Sequence, residues 1–170
     1  VRETLGLLAA EGIACERVTG GGTGTYLLEA ASGVYTEVQP GSYPLMDADY
    51  GRNEPAPRAS LPFEQSLFVL ATVMSRPSPR RAVVDAGLKT LAFDSGLPQV
   101  EGLEGVAYVK ASDEHGVLET AADAAPALGA KIRLVPGHCD PTVNLHDWFV
   151  CVRGGRVEAL WPVAARGALF

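Results

Sequence analysis

The stretch Trp148-Phe-Val-Cys-Val-Arg-Gly-Gly-Arg-Val-Glu-Ala-Leu-Trp161 decides the fold of the C-terminal part of the chain. Two runs of strand-forming residues flank the Gly-Gly pair, and this pattern is a strong signal for a β-hairpin. Upstream, short apolar or alternating runs are separated by Gly and Pro turns, whereas residues 118–128 compete as a helix that Pro126 weakens. We therefore predict a mostly antiparallel β domain over residues 60–170. The upstream runs span residues 66–75, 81–85, 90–93, 106–110 and 132–135.

Residues 1–50 follow a different rhythm, in which helical and extended segments alternate. Helix, strand, glycine loop, helix and strand in this order are typical of parallel α/β architecture, and about fifty such residues fit the closing end of a (β/α)8 barrel. The polar, Pro-rich residues 51–59 carry no periodicity and are predicted to be a linker. The predicted segments are a helix at 3–11 that ends at Gly12, a strand at 13–18, a helix at 26–31 and a strand at 34–38.

The composition of the chain excludes several classes of protein. Its 170 residues are 47% hydrophobic and 20% charged, which is typical of a globular chain with a real core. The net charge of -6 argues against binding to nucleic acid or to an anionic membrane surface. No apolar run approaches the roughly 20 residues that span a bilayer. The three scattered cysteines do not form a disulfide framework, so a reducing, cytoplasmic location is expected.

The segment before the hairpin, Pro136-Gly-His-Cys-Asp-Pro-Thr-Val-Asn-Leu-His-Asp147, concentrates residues that bind metals. In an extended segment, His138 and Asp140 face the same side while Cys139 faces away. An imidazole and a carboxylate form half of a site for a divalent cation, with positions left open for water or substrate. The alternative is a loop in which both side chains simply form hydrogen bonds. Spacing alone favours that alternative, because metal sites usually show more ligands.

A glycine-rich loop, Thr19-Gly-Gly-Gly-Thr-Gly-Thr25, lies after a predicted strand and before a predicted helix. Backbone amides at such a position favour an anion, and Thr23 and Thr25 add hydroxyl donors. The loop matches neither a Walker loop nor a dinucleotide fingerprint, and a flexible turn is the alternative. Gly41-Ser42 ends the following strand on the same side of the sheet, where barrel active sites lie. Two such turns together favour the phosphate of a cofactor.

The remaining polar and aromatic candidates receive structural interpretations. His146-Asp147 either orients a metal ligand or forms a solvated loop pair, and the loop pair is favoured. The other predictions are His115 on the surface, Trp148, Phe149 and Trp161 in the core, Cys15 and Cys151 buried, and Asp85 and Asp94 in turns or hydrogen-bond networks.

Four motifs occur in a fixed order along the chain and resemble the C-terminal part of the D-threonine aldolase and D-serine dehydratase family. The resemblance spans essentially the whole chain and implies a pyridoxal-phosphate enzyme, with an alanine-racemase-like barrel followed by a β domain. The motifs are the loop Thr19–Thr25, Glu37-Val-Gln-Pro-Gly-Ser-Tyr43 with Asp47, Asp85-Ala-Gly-Leu-Lys-Thr-Leu-Ala-Phe-Asp-Ser-Gly96, and Pro136-Gly-His-Cys-Asp-Pro-Thr142.

The same resemblance assigns roles to individual residues. His138 and the residue two positions later would bind a metal; that second ligand is typically Cys in the dehydratase-like branch, giving a zinc site. Here it is Asp140, as in the aldolase branch, so Mn²⁺ is expected, with Mg²⁺ or Zn²⁺ as alternatives, and an oxygen ligand also suits a harder ion. The cofactor phosphate would be held by Gly21, Gly22, Thr23, Gly24, Thr25, Gly41 and Ser42.

The lysine that forms the Schiff base in this family lies near the start of the barrel, and none of Lys89, Lys110 and Lys131 matches it. We therefore expect no catalytic residue in this chain and a partner that supplies the rest of the barrel, either the same polypeptide or a second chain in a homodimer. The expected reaction of the whole enzyme cleaves a D-β-hydroxy-α-amino acid to glycine and an aldehyde. The alternatives are a D-serine or D-3-hydroxyaspartate dehydratase and a non-catalytic module that binds a metal or an anion.

Overall fold

A computed structural model of the chain describes residues 1–54 and 60–167, which fall into two units. One unit comprises Val1–Met46 and Tyr50–Glu64, and the other comprises Asp47–Asp49 and Gln65–Phe170. The predicted boundaries of a barrel end at 1–50, a linker at 51–59 and a β domain at 60–170 stay a prediction, and residues 55–59 of the linker lie outside the described residues. Within the described ranges, no helix is both long and apolar enough to cross a membrane.

The first unit contains a small parallel α/β arrangement, as predicted. Its helix α1 (Arg2–Ala10) has Glu11 as its C-cap. Gly12 follows with a φ of +76°, which permits the Ile13 N–H to donate to the Leu8 carbonyl at 2.9 Å. Two short parallel strands, β1 (Thr19–Gly20) and β2 (Glu37–Val38), flank helix α2 (Tyr26–Ala31).

The strands of this first unit are shorter than predicted. Residues 13–18 form no strand, and the segment 34–38 is a strand only at its last two residues. The two segments begin to pair only at Val18, whose carbonyl accepts from the backbone N–H groups of Thr36 and Glu37. Strand pairing then continues for two residues.

The second unit is built on a six-stranded sheet, which confirms the predicted mostly antiparallel β domain. The strands are β3 (Val69–Ser78), β4 (Arg81–Val84), β5 (Gln99–Val100), β6 (Val106–Ala111), β7 (Gly116–Thr120) and β8 (Lys131–Val135). Their order in the sheet is β5-β8-β3-β4-β7-β6, and every pair is antiparallel. The two edge strands, β5 and β6, also contact each other, so the sheet curls into a nearly closed barrel.

The inner face of the curled sheet holds the core of this unit. Alternation along β3 turns Val69, Ala71 and Val73 inward, where they pack with the fully buried Leu118 and Leu134. Alternate residues of these strands face outward, which is the pattern expected of an antiparallel sheet with one covered face.

One segment differs from the sequence prediction, and one alternative is excluded. The alternative helix at residues 118–128 does not form, because its first residues belong to β7, where Leu118 lies opposite Ala82. Residues 90–93 are not a strand; Leu91 enters the core, but the Ala92 N–H donates to the Thr142 hydroxyl at 3.1 Å instead of to a neighbouring strand. Residues 90–93 therefore have the sequence pattern of a strand but make no hydrogen bonds to a neighbouring strand among the described residues.

A separate two-stranded ribbon, β9 (Trp148–Arg153) and β10 (Arg156–Pro162), confirms the predicted hairpin. Gly154 and Gly155 both adopt positive φ, as a two-residue turn of this kind requires. The predicted burial of Trp148 and Trp161 is wrong, since they are 57% and 62% exposed. Within the described residues the ribbon pairs with no third strand, and so its apolar side chains have no second layer to enter.

Candidate functional site

The candidate metal-binding segment follows strand β8 and begins helix α3 (Cys139–Val143). His138 precedes the helix in an extended conformation, with φ -142° and ψ 124°. The predicted extended course is therefore right at His138 and wrong from Cys139 onward. Pro141 falls in the first turn of this helix, where its missing N–H has no partner to lose, so the sequence Cys-Asp-Pro can start a helix.

The imidazole of His138 is held by a carboxylate from a distant loop. Its Nδ1 lies 2.5 Å from Oδ2 of Asp94, and because a carboxylate can only accept, Nδ1 carries the proton. Partial burial lowers the pKa of His138, but the hydrogen bond and charge of Asp94, with the charges of Asp140 and Asp47, outweigh burial and raise that pKa. The hydrogen bond to His138 in turn lowers the pKa of Asp94. A field of three carboxylates that favours the imidazolium also favours a bound metal cation.

The residue between the two predicted metal ligands does not face away from them. Cys139 is fully buried, and its thiol donates to Oδ1 of Asp140 at 3.1 Å. Its backbone N–H donates to Oδ2 of the buried Asp47 at 2.8 Å. The expectation that Cys139 faces away from Asp140 is thus wrong, because the helical turn brings the thiol against the neighbouring carboxylate.

Three contacts fasten the loop at residues 90–94 to the segment at 138–146. The His146 Nε2 lies 2.9 Å from the Thr90 carbonyl, the Ala92 N–H donates to Thr142, and Asp94 holds His138. In the loop, the contacting residues 90, 92 and 94 are two positions apart, as on one side of an extended segment. Their partners 146, 142 and 138 are four positions apart, which is close to one helical turn. Because the first two contacts fix the loop along the second segment, the third places Asp94 opposite His138.

Close backbone packing adds a fourth contact between these segments. A side chain at Gly137 would place its Cβ 2.1 Å from the Gly96 carbonyl oxygen, so only glycine permits this approach. The Thr142 hydroxyl donates to the His138 carbonyl at 2.7 Å and thereby fixes the backbone of the histidine itself.

The donor set suits a divalent cation of intermediate to hard character. Imidazole and carboxylate are the two ligand types, and both predicted ligands are at least partly accessible, His138 half-buried and Asp140 exposed. In the part of the chain that the structure describes, no three His, Cys, Asp or Glu side chains cluster so as to hold a metal ion. An ion on His138 and Asp140 would therefore complete its coordination with water, substrate or other groups, and this role of the two residues stays a prediction.

The glycine loop has one feature that fits a phosphate group. Thr23 is completely buried, and its hydroxyl has no hydrogen-bond partner among the described residues. An unpaired buried hydroxyl is costly, and a ligand oxygen would satisfy it. A Cβ at Gly24 would lie 2.4 Å from Nδ2 of Asn53, so a side chain there would require the Asn53 amide to shift. At the other end, the Glu29 carboxylate lies against Gly21, where it disfavours an anion.

The second predicted phosphate-binding turn, Gly41-Ser42, is more open than the glycine-rich loop. Ser42 is buried, and its carbonyl accepts from the N–H groups of Leu45 and Met46. Gly41 is exposed, and no atom lies within 4 Å of a Cβ built there, so the turn leaves open space. Thr25, at the N-cap of α2, is also exposed. The phosphate-binding role of these residues stays a prediction.

The other candidates have mixed outcomes. His146 and Asp147 do not form a solvated pair, since His146 contacts Thr90 and Asp147 pairs with Arg166 at 2.7 Å. His115 is on the surface and Asp85 caps the Thr72 N–H, as predicted. Cys15 is exposed and Cys151 half-buried, so the prediction that both are buried is wrong. Asp94 is the site residue whose partner sequence reasoning missed; only its place in the third motif marked it.

A curled antiparallel sheet preceded by a βαβ glycine loop defines the fold class. The structure superposes on an alanine-racemase-like protein from Idiomarina loihiensis with a TM-score of 0.67 and 24% identity, over 88% of this chain and 44% of that one, which shows the fold. The chain belongs to the family described as "Putative serine dehydratase domain", which matches residues 66–152. The predicted resemblance is thereby confirmed.

Aldolases are among its close relatives. The chain is 55% identical to 3-hydroxy-D-aspartate aldolase of Paracoccus denitrificans, over 98% of this chain and 44% of the relative. The crystal structure of D-threonine aldolase from Filomicrobium marinum matches with a TM-score of 0.90 and 51% identity, over 99% of this chain and 46% of that one. D-threo-3-hydroxyaspartate dehydratase of a Delftia species is 29% identical over 95% of this chain and 44% of its own length. The chain thus spans less than half the length of these proteins.

Proposed function

We propose that this chain forms the metal-holding part of a lyase that cleaves D-β-hydroxy-α-amino acids to glycine and an aldehyde. The observation that carries the proposal is the geometry of His138, whose Nδ1 is bonded to Asp94 so that Nε2 is left for a ligand, next to the accessible Asp140. Identity to an aldolase of 55%, against 29% to a dehydratase, supports aldol cleavage over loss of water.

The cofactors of the proposed enzyme are pyridoxal phosphate and a divalent metal. When bound, pyridoxal phosphate withdraws electrons from the substrate's α-carbon, and the metal polarises the β-hydroxyl as a Lewis acid. His138 and Asp140 would hold the metal, and an oxygen ligand favours Mn²⁺ over Zn²⁺. Thr23 would donate its unpaired hydroxyl to the cofactor phosphate, with backbone N–H groups of the glycine loop and of Gly41-Ser42 as further donors.

This chain's own residues contribute binding and orientation in the proposal. Asp94 keeps a proton on Nδ1 of His138, and Cys139 orients Asp140 through its thiol. The base that accepts the β-hydroxyl proton, and the lysine that carries the cofactor, would come from the rest of the barrel. We further propose a homodimer in the cytoplasm, whose reducing environment is compatible with three cysteines that form no disulfide among the described residues.

The test uses the full-length polypeptide that contains this chain. The protein is freed of metal, supplied with pyridoxal phosphate and Mn²⁺, and incubated with D-threonine or D-3-hydroxyaspartate. We expect release of glycine that requires Mn²⁺ and disappears in Asp140→Ala, whereas His115→Ala, a change at an exposed histidine, behaves as wild type. Formation of ammonia and a 2-oxo acid instead of glycine would favour the dehydratase. Retained metal dependence in Asp140→Ala would remove this residue from the site, and binding of Mn²⁺ without any turnover would favour the non-catalytic module.

A further inference from the structure

The contact between Asp94 and His138 joins two side chains that are not deeply buried, 55% and 30% exposed. Isolated ion pairs at such positions hold their geometry weakly, because two side chains lose rotamer freedom and water competes. Here the backbone around the pair is fixed independently. Ala92, two residues before Asp94, is bonded to Thr142, and Gly96, two residues after it, packs against Gly137.

These constraints act on both sides of the pair. Thr142 and Gly137 belong to the segment that carries His138, so the loop cannot shift along it without breaking a backbone contact. Gly96, Gly137 and Thr142 all lie outside the strands of the sheet. Their effect is to hold one carboxylate at one nitrogen of one imidazole.

We infer that Asp94 is a positioning residue, which keeps the proton of neutral His138 on Nδ1 and so presents an unprotonated Nε2 to a divalent cation. A histidine can bind a metal through either nitrogen, and the hydrogen bond made by the other nitrogen selects which one. The inference rests on the proposed function in that the cation is the metal proposed above. The orientation of the proton, however, is a property of the metal-free protein and can be measured alone.

The first measurement determines the tautomer directly. Full-length protein labelled with ¹⁵N at histidine, without metal and at a pH above the end of the titration of His138 itself, gives ring ¹⁵N shifts that distinguish Nδ1–H from Nε2–H. We expect wild type to show His138, identified by its absence in His138→Ala, as the Nδ1–H form. In Asp94→Asn the amide can donate to Nδ1, and we expect the Nε2–H form to appear. Asp123→Asn, which changes an exposed aspartate paired with Arg80, is the matched control and should leave His138 unchanged.

The second measurement tests the consequence for the metal. Free Mn²⁺ is followed by electron paramagnetic resonance as the full-length, metal-free protein is titrated. We expect Asp94→Asn to weaken Mn²⁺ binding by about 10–100-fold, as is typical when a partner of a metal-binding histidine is lost. Asp94→Glu should recover part of the loss, and Asp123→Asn should bind as wild type. Thermal unfolding of each variant shows whether it is folded; if Asp94→Asn is not, the tautomer of His138 in wild type decides, since an Nε2–H form there would overturn the inference.

The outcomes separate this inference from the proposed function. If Mn²⁺ binding is unaffected by His138→Ala, the proposed metal site fails and Asp94 presents no nitrogen to a cation, whereas the tautomer result still shows whether Asp94 holds the proton on Nδ1. If His138→Ala abolishes binding while Asp94→Asn keeps both the Nδ1–H form and wild-type affinity, the positioning role is overturned and the metal site survives. A shift of tautomer together with weakened binding supports both.

Discussion

Asp47 shows how a single buried side chain can prepare a functional segment. It is 1% exposed, and its carboxylate accepts the N–H of Cys139, the first residue of α3. Met46, which precedes it, is buried with a φ of +55°, a conformation that costs a non-glycine residue of the order of 1–3 kcal/mol. The strained residue and the buried acceptor are therefore consecutive in the chain, and the acceptor fixes the start of α3.

Tyr108 gives a prediction about stability at alkaline pH. It is 4% exposed, its hydroxyl donates to the Ala86 carbonyl at 2.8 Å, and burial raises its pKa to about 12. In the unfolded chain the pKa is about 10. Above that value the unfolded chain binds fewer protons than the folded one, so the stability that Tyr108 confers is complete below about pH 10 and is lost as pH rises toward about 12.

We therefore expect the free energy of unfolding to fall between these pH values by about 1–3 kcal/mol more in wild type than in Tyr108→Phe. Urea denaturation at a series of pH values measures the difference. Near neutral pH the variant should be less stable by about 1 kcal/mol, because the Ala86 carbonyl loses its donor. Equal pH slopes for the two proteins would show that Tyr108 titrates normally.

At the scale of elements, the contact between the Asp94 loop and α3 depends on Gly137. Replacing it with alanine would force Cβ against the Gly96 carbonyl, and because backbone cannot rotate away, the two segments must separate. We expect Gly137→Ala to cost about 1–3 kcal/mol of stability and to weaken Mn²⁺ binding, since Asp94 moves away from His138. Chemical denaturation and Mn²⁺ titration measure the two effects.

Gly6→Ala is the control for this substitution. Gly6 lies in α1, and a Cβ there meets no atom within 4 Å, so the change should raise stability by at most about 1 kcal/mol and leave Mn²⁺ binding unaltered. Normal stability and metal affinity in Gly137→Ala would mean that the two segments are not held by this packing.

The elements that the sequence predicts well are those with local causes. The hairpin at Gly154-Gly155 follows from two glycines between strand-forming runs, and β4, β6 and β8 follow from alternation and adjacent turns. Residue type and order are enough to indicate His138 and Asp140 as candidate ligands. The pairing of Asp94 with His138 could not be predicted, because the residues are 44 apart and their loop bonds to a helix and not to a strand. The exposure of Trp148 and Trp161 depends on which layers surround the ribbon, which their own sequence does not encode.

At the scale of the whole molecule, binding of a cation should be visible as stability. A ligand that binds only the folded state adds RT ln(1 + [L]/Kd), which is about 2.7 kcal/mol when the ligand concentration is 100 times Kd. The net charge of -6 also attracts cations without a site, and that screening effect does not depend on any one carboxylate. Replacing His138 or Asp140 therefore separates binding at a specific site from this general attraction.

We expect Mn²⁺ added to metal-free, full-length protein to raise the unfolding midpoint by several degrees in wild type and to leave it nearly unchanged in Asp140→Ala, as followed by calorimetry. Asp123→Ala, which also loses one carboxylate but at an exposed position away from His138, should respond as wild type. A chelator should reverse the rise, because it removes the ion from the folded state, which is the state that binds it. If Asp140→Ala gains as much stability from Mn²⁺ as wild type does, the cation acts through the general negative charge of the molecule, and His138 and Asp140 do not form its site.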